Sequence, residues 1–64
     1  MADLDALRHR CEALAEELAD AALDLLGQAV DGDEEAGRIE KRVTRARRSV
    51  EKAAALLSGS ERLA

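Results

Sequence analysis

The chain has no proline, no phenylalanine, tyrosine or tryptophan, one cysteine (Cys11) and one histidine (His9) in 64 residues. Each absence excludes something. A single thiol leaves no internal disulfide, and one Cys with one His cannot furnish the four ligands of a structural zinc site. Without aromatic rings there is no stacking platform for bases and little to wall an enzyme pocket. β-Branched aliphatics are scarce as well: Val30, Ile39, Val43 and Val50 stand against 14 alanines and 10 leucines, a balance that favours helix over sheet. The longest uncharged stretch, Ala53 to Ser60, has eight residues, far below the ~20 of a membrane span. Asp3, Asp5, Arg8, Arg10 and Glu12 leave no apolar signal core near the start, so a reducing, cytoplasmic setting is expected, with no membrane association.

What is present is periodicity. Apolar residues recur at Leu4, Leu7, Cys11, Leu14, Leu18, Ala21 and Leu25, and again at Ala36, Ile39, Val43, Ala46, Val50, Ala53 and Leu57. Both series alternate steps of three and four, which places an apolar seam on a helix. The expected fold is all-α: an antiparallel two-helix hairpin of coiled-coil type. Helix 1 covers about 3–30, the turn about 31–33 and helix 2 about 34–58, with a short C-terminal tail. Asp3 suits the first N-cap, and Asp31 or Asp33 the second. Gly32 suits the turn and Ser58-Gly59 the closing C-cap. Folding back about Gly32 pairs Leu25 with Ile39, Ala21 with Val43, Leu18 with Ala46, Leu14 with Val50, Cys11 with Ala53 and Leu7 with Leu57. Gly27 and Gly37 each cost ~1 kcal/mol relative to alanine inside a helix, and continuous helices are nonetheless expected through both.

Chains below ~70 residues commonly need a staple or a partner, and a lone hairpin buries only one side of each helix. A second row on helix 1, of Ala15, Ala19, Ala22, Leu26 and Ala29 with Leu23 beside it, is the expected self-association surface. It would join two hairpins into a homodimeric four-helix bundle. Val30, Ala54 and Leu56 add apolar surface outside the main seam.

Charge is divided along the chain. The net charge of −4 comes from eleven acids and two bases in residues 1–35 against three acids and eight bases in 36–64. Arg38, Lys41, Arg45, Arg48 and Lys52 recur in steps of three and four and share an ~80° sector opposite the apolar seam. Arg42 and Arg47 flank them. Glu12, Glu16, Glu17, Asp20 and Asp24 form an acidic counterpart on helix 1, and Asp24 is placed to meet Arg42. The outward cations cannot reach helix 1 of their own chain, so they await water, a protein partner or a polyanion. Nucleic acid is the weaker alternative, given the acidic chain and the missing aromatics.

No catalytic constellation accompanies this. His9 has Ala6 where a helical metal site would place a glutamate, Cys11 lies on the seam, and Ser49, Ser58 and Ser60 lack a histidine relay. No enzyme activity, cofactor or metal is expected. The expected role is that of a non-catalytic protein–protein interaction module: an adaptor, accessory subunit or regulator.

The stretch from Glu40 to Ala55 resembles part of the signature of the small coiled-coil anti-sigma factors that bind cyclic di-GMP. Glu40, Thr44 and Arg47 stand at its first three positions, with Thr for the family's Ser. Glu51 replaces the family's Gln, and Ala55 its Asp. The resemblance implies a homodimeric coiled coil that clasps the dinucleotide and sequesters a sigma factor. Glu40, Thr44, Arg47 and Glu51 would be the nucleotide contacts, with the Arg47 guanidinium stacking on a base and pairing with phosphate.

Overall fold

In the computed structural model, which describes residues 2–59, helix α1 runs Leu4–Val30 and helix α2 Glu34–Ser58. Local chemistry sets each boundary. The Asp3 carboxylate accepts from the Ala6 N–H at 3.0 Å, and the Asp33 carboxylate accepts from the Ala36 N–H at 3.1 Å. Each satisfies a donor that the first helical turn leaves unpaired. At the end of α1, the Asp33 N–H donates to the Gln28 carbonyl and the Gly32 N–H to the Ala29 carbonyl, both at 3.0 Å. This pair of bonds closes the helix about a left-handed residue. Gly32 supplies it at φ 107°, where a β-carbon would be strained. Asp33 therefore finishes one helix with its backbone and begins the next with its side chain, so three residues suffice for the reversal. Gly59, at φ 81°, caps α2 in the same left-handed manner. Both helices continue unbroken through Gly27 and Gly37.

The two helices pack along each other as a hairpin. The molecule measures 48 × 25 × 12 Å, and its thinnest dimension is that of one helix layer. Only Ala15 (7% exposed), Ala36 (3%) and Ala54 (8%) are buried among the described residues, and all three are alanine.

The contact between the helices is rotated from the expected seam. On α1 the half-buried and buried positions are Arg8, Cys11, Ala15, Leu18, Ala19, Ala21, Ala22, Leu25 and Ala29, whereas Leu4, Leu7 and Leu14 are exposed. On α2 they are Ala36, Gly37, Ile39, Glu40, Val43, Thr44, Arg47, Val50, Ala53, Ala54, Ala55 and Leu57, whereas Ala46 is exposed. Of the predicted seam, α2 keeps every position except Ala46 and α1 keeps Cys11, Leu18, Ala21 and Leu25, while Ala15, Ala22 and Ala29 on α1 and Glu40, Arg47 and Ala54 on α2 shift the contact toward one side. Leu14 and Ala46 therefore do not stand in core layers against Val50 and Leu18. The physical reason is that a row such as Cys11, Leu18, Leu25 has two flanking rows, one of leucine and one of alanine. Either completes a three-four pattern. The alanine row allows the axes to approach over the full length, and close packing of small residues favours that choice. A β-carbon placed on Gly37 would lie 3.6 Å from that of Ala29, at ordinary van der Waals contact.

Among the described residues every ion pair lies within one helix: Arg8 with Asp5 and Glu12, His9 with Asp5, Arg38 with Glu35, and Arg47 with Glu51. The expected contact of Asp24 with Arg42 is not made. Both side chains are exposed, and with the seam rotated they lie away from the line of contact.

Candidate functional site

A hairpin one layer thick has two broad faces, and the rotated seam decides what each displays. The groove on one face is lined by residues from both helices: Ala15 and Ala19 of α1 and Ala54 and Ala55 of α2 as floor, with Arg8, Glu12, Arg47 and Glu51 around it. It continues toward the turn over Ala19, Ala22, Leu23 and Leu26 against Glu40, Thr44 and Arg47. This is the alanine face. Because antiparallel helices wind in opposite senses when viewed from one end, the rows flanking the seam on its other side share the opposite face. There α1 presents the exposed Leu7 and Leu14 and the half-buried Ala21, and α2 the exposed Ala46 and the half-buried Ile39 and Ala53. Behind them lie the half-buried Leu18, Leu25, Val43 and Val50. This is the leucine face.

The predicted self-association residues are thus divided. Ala15 and Ala54 are buried and Ala22 and Ala29 half-buried beside the hairpin's own seam, where Ala15, Ala22 and Ala54 also floor the groove of the alanine face. Ala19 is half-buried on the alanine face, and Leu23 and Leu26 are exposed there. Large apolar side chains are thus exposed on both faces, Leu23 and Leu26 on the alanine face and Leu7 and Leu14 on the leucine face.

The cationic row is where the periodicity put it. Arg38, Lys41, Arg45, Arg48 and Lys52 are all exposed on the outer side of α2. Arg38 pairs with Glu35 in the first turn, whereas Lys41, Arg45, Arg48 and Lys52 have no carboxylate within ion-pair distance among the described residues. Glu40, Thr44, Arg47 and Glu51, spaced at four, three and four, fall together along the alanine face. They are engaged with one another: the Thr44 hydroxyl donates to Glu40 at 2.7 Å, and the Arg47 guanidinium lies 4.0 Å from Glu51.

On α1, Arg8 is clamped between Asp5 and Glu12 by hydrogen bonds. The bond from Arg8, and next its charge, hold the Asp5 carboxyl below the usual aspartate range. His9 Nδ1 lies 3.7 Å from the same aspartate. No group of three or more His, Cys, Asp or Glu among the described residues is arranged to hold a metal ion. No helix there is long and apolar enough to cross a membrane. Compared with known proteins, the chain matches no protein family, no curated protein and no solved structure.

Proposed function

We propose that the chain acts as a non-catalytic protein–protein interaction module, an adaptor, accessory subunit or regulator. It self-associates through its leucine face into a homodimeric four-helix bundle and keeps the cations of α2 turned outward. The observation that carries this reading is the poverty of the hairpin's interior. Three alanines are buried, while on one side of the helix layer Leu7 and Leu14 are exposed and Leu18, Leu25, Ile39, Val43 and Val50 are only half-buried. Helices in water draw most of their stability from burying an apolar face, and alanine seams bury little of it. A second copy laid face to face would cover Leu7, Leu14, Leu18 and Leu25 with the same rows from its partner. Such a two-fold contact is self-complementary by construction.

Sedimentation equilibrium together with thermal melts over a hundredfold range of concentration tests the proposal. A dimer mass and a melting temperature that rises with concentration are expected, because association adds to apparent stability by mass action. A monomer of full helix content, with a melt independent of concentration, would refute it.

A further inference from the structure

A dimer built on the leucine face leaves one apolar row uncovered. Leu23, Leu26 and Val30 are 67%, 49% and 80% exposed. They recur at steps of three and four along the last turns of α1, so they form one continuous ridge. The ridge lies beside the alanine face. Leu23 and Leu26 wall a depression floored by Ala19 and Ala22, whose far side is Glu40, Thr44 and Arg47 of α2. Glu40 and Thr44 also border a second hollow, completed by Lys41, Arg45 and Arg48. Crossing the hairpin near its turn, one meets leucines, then an alanine floor, then a threonine–glutamate ridge, then three cations.

We propose that this part of the alanine face docks an acidic amphipathic helix of another protein. One edge of that helix carries leucine-like residues, which seat on Leu23, Leu26 and the alanine floor. The adjoining edge carries Asp or Glu at steps of three and four, which reach Lys41, Arg45 and Arg48. Charge complementarity selects this occupant. Lys41, Arg45 and Arg48 have no carboxylate within ion-pair distance among the described residues. Like charges spaced at three and four along one helix repel each other, and a facing row of acids relieves that repulsion. The Glu40 carboxylate, held by the Thr44 hydroxyl, sits between floor and cations and keeps the occupant's acids to the outer edge.

A nucleic acid fits the same ground less well. Leu23, Leu26 and the alanines offer nothing to phosphate or sugar, and the chain has no ring on which a base can stack. An apolar anchor beside a charged rim is the arrangement of helix-in-groove recognition.

The experiment is fluorescence anisotropy of the full chain with three labelled synthetic 18-residue helical peptides and one single-stranded DNA 20-mer. The first peptide has a leucine edge beside a glutamate edge. The second replaces its leucines by serine, and the third replaces its glutamates by lysine. Saturable binding is expected for the first peptide, with each altered peptide at least about tenfold weaker. On the protein, Leu23→Ser with Leu26→Ser, and separately Lys41→Glu with Arg48→Glu, are expected to weaken the first peptide by about the same factor. All four substituted side chains are exposed, and circular dichroism verifies that each variant remains helical. The charge-reversed variant is expected to prefer the lysine peptide, a swap that general loss of structure cannot produce. No binding of the first peptide at ~100 µM would overturn the proposal. So would equal binding of the serine-edged peptide, which would mean charge alone, or tighter binding of the DNA.

Discussion

Replacing Leu14 by glutamate perturbs the leucine face and leaves the hairpin's seam alone. Leu14 is 46% exposed in the single hairpin, so about half of its side chain remains for a second layer to cover. Full burial of a leucine contributes about 1.5–3 kcal/mol, and covering the remaining half contributes about 1 kcal/mol per copy, hence about 2 kcal/mol per dimer. Glutamate forfeits this and carries a carboxylate into each side of the interface. Even partial desolvation at about 1 kcal/mol apiece brings the total to about 4 kcal/mol, roughly a thousandfold in dissociation constant. Leucine and glutamate have similar helix propensities, so the substitution does not disfavour α1 locally. Ala13→Glu serves as the control, because Ala13 is exposed on the outer side of the same helix and adds the same charge. Sedimentation velocity and circular dichroism melts, run from low to high micromolar protein, read the result. Leu14→Glu is expected to lose the dimer and melt at lower temperature, while Ala13→Glu stays within about 0.5 kcal/mol of the parent. A Leu14→Glu protein with unchanged mass and melt, or two variants affected alike, would refute the assignment of the leucine face.

Three further outcomes are expected. Gly27 and Gly37 sit inside helices with room for a β-carbon, so Gly27→Ala and Gly37→Ala should each stabilise the fold by about 1 kcal/mol. Gly32→Ala, at φ 107°, should destabilise it by a similar amount; denaturant titration would expose a wrong sign in either case. The Asp5 carboxyl, lowered by Arg8, contributes its stability above the unfolded-state value of 3.8 and loses it as pH falls through the lower folded value. Carbon-13 NMR titration should therefore show Asp5 titrating below its ordinary value of 3.8, and Arg8→Gln should raise it toward that value. Calorimetry with cyclic di-GMP should give no heat, because Glu51 adds a negative charge where the resembling signature has Gln, near a doubly anionic ligand, and Ala55 removes the carboxylate that would accept from a guanine edge. A saturable isotherm would reverse that expectation.

Much of this hairpin is legible in the chain because helix boundaries depend on neighbours. Asp3, Asp33, Gly32 and Gly59 act through hydrogen bonds and backbone angles that span five residues or fewer, and the turn needs no distant contact to form. The outward row from Arg38 to Lys52 was equally readable, since 3.6 residues per turn alone put those cations on one line. The seam was less so. Leu7, Leu14 and Ala21 compete with Ala15, Ala22 and Ala29 to complete the same row, and periodicity weighs them equally. It cannot express how close two axes come, so it favoured the larger side chains.

Composition and periodicity by themselves determined that this chain makes two helices, where they begin and end, and that one carries the acids and the other the bases. These properties rest on local hydrogen bonding and helical geometry. Only the tertiary structure decided which apolar rows face each other, because that depends on how closely alanines let the axes approach. That choice turned the leucines outward on one face. It left Leu23, Leu26 and Val30 beside the alanine face and gathered Glu40, Thr44, Arg47 and Glu51 along a groove that neither helix could form alone.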